Sequence, residues 1–197
     1  MNRRLGVVGG TFDPIHNGHL VLARYVSEEM NLDRTLFIPA ASPPHKDHRD
    51  DIAASDCRWA MVELALDGID DFEPCRCELD RPGHSYTVDT LRQLRLKHPQ
   101  AELFLVIGSD NTYDLCNWHD PEGILELCTV VAGSRSIDSR PQSIDAIGAN
   151  VCIVDTPVID ISSTEIRRRL REGLPVHSMI PDKVAAYISH RRLYSDP

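Results

Sequence analysis

The stretch Leu5-Gly6-Val7-Val8-Gly9-Gly10-Thr11-Phe12-Asp13-Pro14-Ile15-His16-Asn17-Gly18-His19-Leu20 decides how the chain is read. A short apolar run meets two glycines, and beyond them Leu22, Val26 and Met30 fall at the i, i+4, i+8 spacing of a helix face. The order is strand, glycine-bearing turn, helix. A helix that starts just past a strand end points its unpaired N–H groups and the positive end of its dipole into the turn, where an anion is stabilised. Gly9 and Gly10 let the backbone come close to a ligand. His16 and His19 add two imidazole donors three residues apart, suited to charge developing on phosphoryl oxygens. The turn reads as a phosphate site. Two blander readings compete with it, since either histidine could cap the helix or sit satisfied in the core. A zinc-protease reading fails, because that motif needs histidines at i, i+4 with a glutamate between them.

The 197 residues predict one domain, residues 1–197, long enough to bury a substantial core. Hydrophobic residues make up 42% and charged residues 26%, an ordinary globular balance that excludes disordered and fibrous classes. Twenty-one Lys and Arg against 30 Asp and Glu leave a net charge of −9, which argues against nucleic acid or an anionic membrane as the main partner. Any anion site must then be a local basic cluster. No run approaches the roughly 20 apolar residues needed to cross a bilayer. The basic Met1-Asn2-Arg3-Arg4 start is followed by an apolar run too short for a signal peptide, so a cytoplasmic protein is expected. The six cysteines form no C-x-x-C pair and read as reduced thiols; Cys75-Arg76-Cys77 lacks a second ligand pair, and no metal ligands are assigned.

Strand-like runs recur at Leu5 to Val8, Thr35 to Ile38, Phe72 to Leu79, Leu103 to Ile107, Thr129 to Ala132 and Val151 to Val154. Helical stripes fill residues 52–67 and 86–97, and two further helices are predicted at Ser163 to Glu172 and Asp182 to Arg191, the last with Pro181 in its first turn. Residues Ser134 to Ile147 read as loop with a short helix. Alternating strands and helices, with strands apolar on both faces, predict an α/β, Rossmann-like doubly wound and mostly parallel sheet with helices on both faces and C-terminal helices. Ligands bind such sheets beyond the strands' carboxyl ends, where Gly9-Gly10 and Gly108-Ser109-Asp110 fall.

Other motifs carry chemistry less sharply. Ile161-Ser162-Ser163-Thr164-Glu165-Ile166-Arg167 has the S-x-x-E spacing of a capping box, yet a capped helix start with Ser163, Thr164 and Arg167 also offers phosphate donors. The proline-stiffened segment Pro39 to Lys46 can hold Lys46 toward the same sheet edge, or leave it solvated. His84-Ser85-Tyr86-Thr87-Val88-Asp89-Thr90 runs into a helix start that Ser85 or Thr87 could cap. Trp118 reads either as core or as a flat platform for a ring.

G-G-T-F-D-P-I-H-N-G-H-L with I-S-S-T-E-I-R resembles the H-x-G-H nucleotidyltransferases, which pass a nucleotidyl group from a nucleoside triphosphate to a phosphate or hydroxyl acceptor. P-P-H-K, S-Y-T-V-D-T-L, the G-S-D after the fourth strand, Trp118 and the closing P-D-K-V-A-A-Y-I are similar to the nicotinate-nucleotide adenylyltransferases of bacteria. The resemblance runs from about Leu5 to Leu193. It implies transfer of AMP from ATP to nicotinate mononucleotide, giving nicotinate adenine dinucleotide and pyrophosphate, with Mg2+ brought by the ATP phosphates. It implies catalytic roles for His16, His19 and Arg167. The ATP side takes Gly9, Gly10, Thr11, His16, His19, Gly108, Asp110, Ile161, Ser162, Ser163, Thr164 and Arg167. The acceptor side takes Thr11 and Phe12, Lys46 on the phosphate, Tyr86 and Thr87 on the nicotinate carboxylate through backbone N–H groups, and Trp118 stacked on the ring. Gly133-Ser134 before Arg135 is a loose version of the family pattern. Alternative acceptors are nicotinamide mononucleotide or another phosphomonoester such as phosphopantetheine. A nucleotide-binding regulator without turnover is the competing class, and pyrophosphate release separates it from an enzyme.

Overall fold

Leu5 and Val7 of β1 (Arg4–Gly10) pack into one apolar cluster and Val8 into another, so the first strand is covered on both faces. The same alternation runs through β2 (Arg34–Pro39), where Phe37 joins the cluster of Val8 while Leu36 and Ile38 join that of Leu5 and Val7. A strand buried on both sides belongs to the middle of a layered α/β structure. The computed structural model describes residues 3–42, 52–112, 114–134 and 151–195. The remaining strands among these residues are β3 (Phe72–Pro74), β4 (Glu102–Gly108), β5 (Thr129–Ser134) and β6 (Val151–Asp155).

The six strands form one sheet in the order β3-β2-β1-β4-β5-β6, and all five pairings are parallel. This is the Rossmann-like, doubly wound arrangement, whose order reverses between β1 and β4. Helices α1 (Asn17–Glu29) and α2 (Ser55–Leu66) cover one face. They are joined there by α6 (Ser163–Arg171) and α7 (Asp182–Arg191), through residues such as Val26, Met61, Ile166 and Ile188. Helices α3 (Thr87–Lys97) and α5 (Pro121–Leu127) cover the other through Leu91, Leu94 and Ile124. A single turn, α4 (Ser109–Thr112), follows β4 directly. Among the described residues no helix is long and apolar enough to cross a membrane.

Most element positions match the hydrophobic pattern, and three depart from it. The third strand ends at Pro74 rather than Leu79: after Cys75 donates to the Phe37 carbonyl the chain coils, with Asp80 N–H returning to the Arg76 carbonyl and Arg81 N–H to Glu78. Neither Ser85 nor Thr87 caps α3; Tyr86 is its N-cap residue, and the Ser85 hydroxyl instead accepts from the backbone of Ala41 at 2.9 Å and Ser42 at 3.4 Å. Pro181 stands at the N-cap of α7, one place before its first turn, where it still needs no N–H partner. The expected loop at Ser134 to Ile147 falls almost wholly outside the described residues.

Gly6 shows how tightly the first crossover is packed. A Cβ there would stand 2.8 Å from both Leu32 Cδ1 and Thr35 Oγ1, and that hydroxyl forms a buried 2.7 Å bond with Ser27 of α1. Gly6→Ala is therefore expected to lower stability by about 1–3 kcal/mol through overpacking. Urea denaturation measures this, and an unchanged midpoint would contradict it.

Candidate active site

The turn between β1 and α1 sits at the carboxyl edge of the sheet, beside the β1/β4 reversal. His16 is the N-cap residue of α1 with extended backbone (φ −143°), and His19 lies in the first turn. Their rings stack with centroids 3.6 Å apart and planes 24° from parallel, and the His16 backbone N–H donates to His19 Nδ1 at 3.2 Å. Gly18 makes this possible, because a Cβ there would stand 3.0 Å from His16 Nδ1. Phe12, at φ 51°, places its ring edge-on to His19 at 5.1 Å. Over Gly9 a Cβ would meet no atom of the described residues within 4 Å.

His16 is 7% exposed, and its Nδ1 has no hydrogen-bond partner among the described residues. Burial disfavours the imidazolium and pulls the His16 pKa down to about 4. At neutral pH this ring is an uncharged donor or acceptor. It supplies direction to a phosphate contact rather than net charge.

Net positive charge comes from below the turn. Asp13, 3% exposed, lies between two buried guanidinium groups, Arg58 at 2% and Arg167 at 5%. Its Oδ1 accepts from the Tyr194 hydroxyl at 2.6 Å and from the Ala53 N–H at 3.0 Å, and its Oδ2 is 3.6 Å from Arg167. Arg167 also donates to the Asp13 carbonyl at 2.8 Å, and Ser163 donates to the Pro14 carbonyl at 2.9 Å. Helix α6 is thereby bound to the turn by its first two turns. Ser162 caps that helix by accepting from Glu165 N–H, as its spacing predicts. Arg58 reaches four backbone carbonyls, those of Thr11 (2.8 Å), Ala40 (2.7 Å), Ala53 (3.0 Å) and Ala41 (3.5 Å). Burial pulls its pKa below the usual arginine value, and the Asp13 charge opposes that shift.

The structure thus brings Gly9, Gly10, Thr11, Phe12, His16 and His19 together with Ile161, Ser162, Ser163, Thr164 and Arg167 at one edge. Gly108 ends β4 next to β1, and Asp110 lies in α4. Tyr86 and Thr87 open α3, where first-turn N–H groups have no intrahelical partner. The Tyr86 N–H itself donates to the His84 carbonyl at 3.2 Å. Trp118 packs, partly buried, against the core cluster of Leu91 and Ile124, while the Tyr86 ring stacks on His119 at 4.2 Å. Lys46 and Arg135 lie outside the described residues.

Sequence reasoning missed Asp13, Arg58, Tyr194, Gly18 and His119. Asp13 and Gly18 lay within the quoted motif; Arg58 signalled itself only as a charge on the apolar stripe of α2, and Tyr194 stands 181 residues from its partner. Among the described residues no group of three or more His, Cys, Asp or Glu side chains could hold a metal ion. The motif's one carboxylate, Asp13, accepts from Tyr194 and Ala53 through Oδ1 only.

The cytidylyltransferase-like family model matches residues 7–169. A protein of Thermomicrobium roseum named "Probable nicotinate-nucleotide adenylyltransferase" is 42% identical over 97% of this chain and 91% of its own length. One of Thermus thermophilus with the same name is 44% identical over 97% of this chain and 99% of its own length. A solved structure, the Plasmodium falciparum nicotinic acid mononucleotide adenylyltransferase complexed with NaAD, superposes with TM-score 0.81 over 98% of both chains. At 18% identity that likeness bears on the fold alone.

The buried His16 gives the stability a pH signature. Unfolded, the imidazole titrates near 6.5; folded, near 4. The unfolded chain therefore binds the extra proton as pH falls through 6.5, and stability is lost down to about pH 4. Between pH 7 and 5 this group is expected to remove about 2 kcal/mol, a loss that His16→Asn should not show. Urea titrations of both proteins at the two pH values test it, and equal slopes would contradict the buried neutral imidazole.

Proposed function

The chain belongs to the cytidylyltransferase-like family and, within it, to the nicotinate-nucleotide adenylyltransferases, and we infer from this that it transfers the adenylyl group of ATP to nicotinate mononucleotide. The products are nicotinate adenine dinucleotide and pyrophosphate, a step of NAD biosynthesis. One geometric observation carries the reading on this chain's own residues. The stacked His16 and His19 share one sheet edge with the bound start of α6, so imidazole and helix N–H donors converge at the turn after β1.

The chemistry asks little proton transfer of the protein. The acceptor phosphate is largely dianionic at neutral pH, since its second pKa is about 6. One of its oxygens attacks the α-phosphorus of ATP; a P–O bond forms, the bond to the β-phosphate oxygen breaks, and pyrophosphate leaves with the electron pair. Catalysis is alignment plus neutralisation of charge. Mg2+ held by the triphosphate oxygens would supply further charge neutralisation there.

His19 and the buried neutral His16 orient phosphoryl oxygens at the ATP side, with Gly9, Gly10 and Thr11 shaping the turn. Ser162, Ser163, Thr164 and Ile161 present the start of α6, and Arg167 adds positive charge behind it. Gly108 and Asp110 stand at the ribose, Lys46 at the acceptor phosphate. Phe12, Tyr86, Thr87 and Trp118 form the nicotinate side.

Pyrophosphate release with ATP and nicotinate mononucleotide, nicotinamide mononucleotide or phosphopantetheine in turn is expected to be fastest with the first. Binding of ATP without release would leave a regulator instead. His19→Ala is expected to lower kcat about 100-fold or more; an unchanged kcat would remove His19 from the reacting phosphates.

A further inference from the structure

The chain end behind α7 takes an unusual course. Arg192 and Tyr194 both adopt left-handed backbone, φ 52° and 63°, a conformation that L side chains rarely hold. The fold keeps both because the turn closes on itself, with Leu193 N–H donating to the Ile188 carbonyl, and because it delivers Tyr194 to Asp13. The 2.6 Å bond between them spans 181 residues of sequence.

Asp13 stands between two residues that touch the site from opposite sides. Phe12 packs edge-on against His19, and the carbonyl of Pro14 accepts from Ser163 at the start of α6. The orientation of the Asp13 carboxylate therefore bears on both histidine and helix donors. Two groups fix its Oδ1, the Tyr194 hydroxyl and the Ala53 N–H, and leave Oδ2 turned toward Arg167 at 3.6 Å. That is longer than a charge-assisted hydrogen bond. Without the hydroxyl, one anchor of Oδ1 is gone and the carboxylate is free to turn onto Arg167.

We propose that Tyr194 is a positioning residue of the ATP half of the site: its hydroxyl holds the Asp13 carboxylate off Arg167, keeping the β1–α1 turn and the start of α6 in register for the triphosphate. The acceptor residues on α3 make no bond with Tyr194 or the Asp13 carboxylate directly and are reached only through Ala53, Arg58 and the Ala40–Ala41 backbone. The effect falls first on ATP, through Phe12 against His19 and Pro14 against Ser163, and less on nicotinate mononucleotide. Partial burial and the facing Asp13 charge keep the hydroxyl protonated, so it remains a donor at any working pH.

The inference rests on the adenylyl-transfer reading, and its test keeps the two apart. Calorimetry of the full chain with Mg2+ and ATP, without acceptor, compares wild type, Tyr194→Phe and Tyr194→Ala; steady-state kinetics then give KM for each substrate. Y194F, which keeps the ring, is expected to bind ATP about 5–10-fold more weakly and to raise KM for ATP similarly. Its KM for nicotinate mononucleotide should stay within twofold. If Phe restores what Ala loses, or both KM values rise together, or Y194F loses its cooperative urea transition, the role is packing and the proposal is overturned. A wild type that binds ATP but releases no pyrophosphate sinks the reaction, while the ATP affinities still judge Tyr194.

Discussion

Asp13 is the constraint on which the site depends. One carboxylate, nearly sealed from water, faces two guanidinium groups and a tyrosine hydroxyl, and each partner comes from a different part of the chain. Ionised groups at such depth are stable only when their partners are all in place, and removing one leaves the others uncompensated. The cost of breaking the cluster ties α2, α6 and the chain end to a single turn of backbone. Two cations against one anion also leave the cluster positive beneath a turn that is to hold phosphate. In an acidic protein of net charge −9, this cluster sets buried positive charge beside the turn proposed to hold the triphosphate.

The stacked histidines occupy the opposite electrostatic regime. His16 is dehydrated and neutral, so it contributes a directed contact without charge of its own. A protonated ring at that depth would be costly. Charge sits in arginines that cannot lose a proton, and direction sits in imidazoles and helix N–H groups. The division suits an adenylyl transfer in which no proton needs to move.

Much of this was legible in the chain. The alternation of apolar runs fixed the layer order because strands covered on both faces read as continuous hydrophobic stretches, and β1, β2, β4 and β5 were all found within a residue or two. β3 was overextended because Cys75 and Cys77 are apolar enough to prolong the run, whereas Pro74 and the turn after it end the ladder. A local signal such as the Ser162 cap survived, since a cap needs only neighbours, whereas the Glu165 carboxylate pairs with Arg168 and leaves the box half closed. What sequence could not reveal were bonds made at long range: Tyr194 to Asp13, Arg58 to Thr11, Ser85 to Ala41. Their residue types have ordinary surface roles, and only the fold shows that these side chains are turned inward.

Those long-range bonds also explain how two halves of a site on different elements stay aligned. Arg58 holds the Thr11 carbonyl of the phosphate turn and the Ala40 carbonyl after β2 in one guanidinium plane. The next residues, Ala41 and Ser42, donate to the Ser85 hydroxyl, one residue before the N-cap of α3. A continuous run of hydrogen bonds therefore leads from the ATP turn to the helix start assigned to the nicotinate carboxylate. In-line attack requires the acceptor oxygen and the α-phosphorus to meet within a few tenths of an ångström of the productive geometry, and misplacement of about 1 Å costs on the order of a hundredfold in rate. Two flexible half-sites could bind both substrates and still fail to join them. Because Arg58 bonds to backbone carbonyls, the spacing it enforces is insensitive to side-chain changes at Thr11, Ala40 and Ala41, so acceptor-side side chains can vary while the distance between the halves is kept.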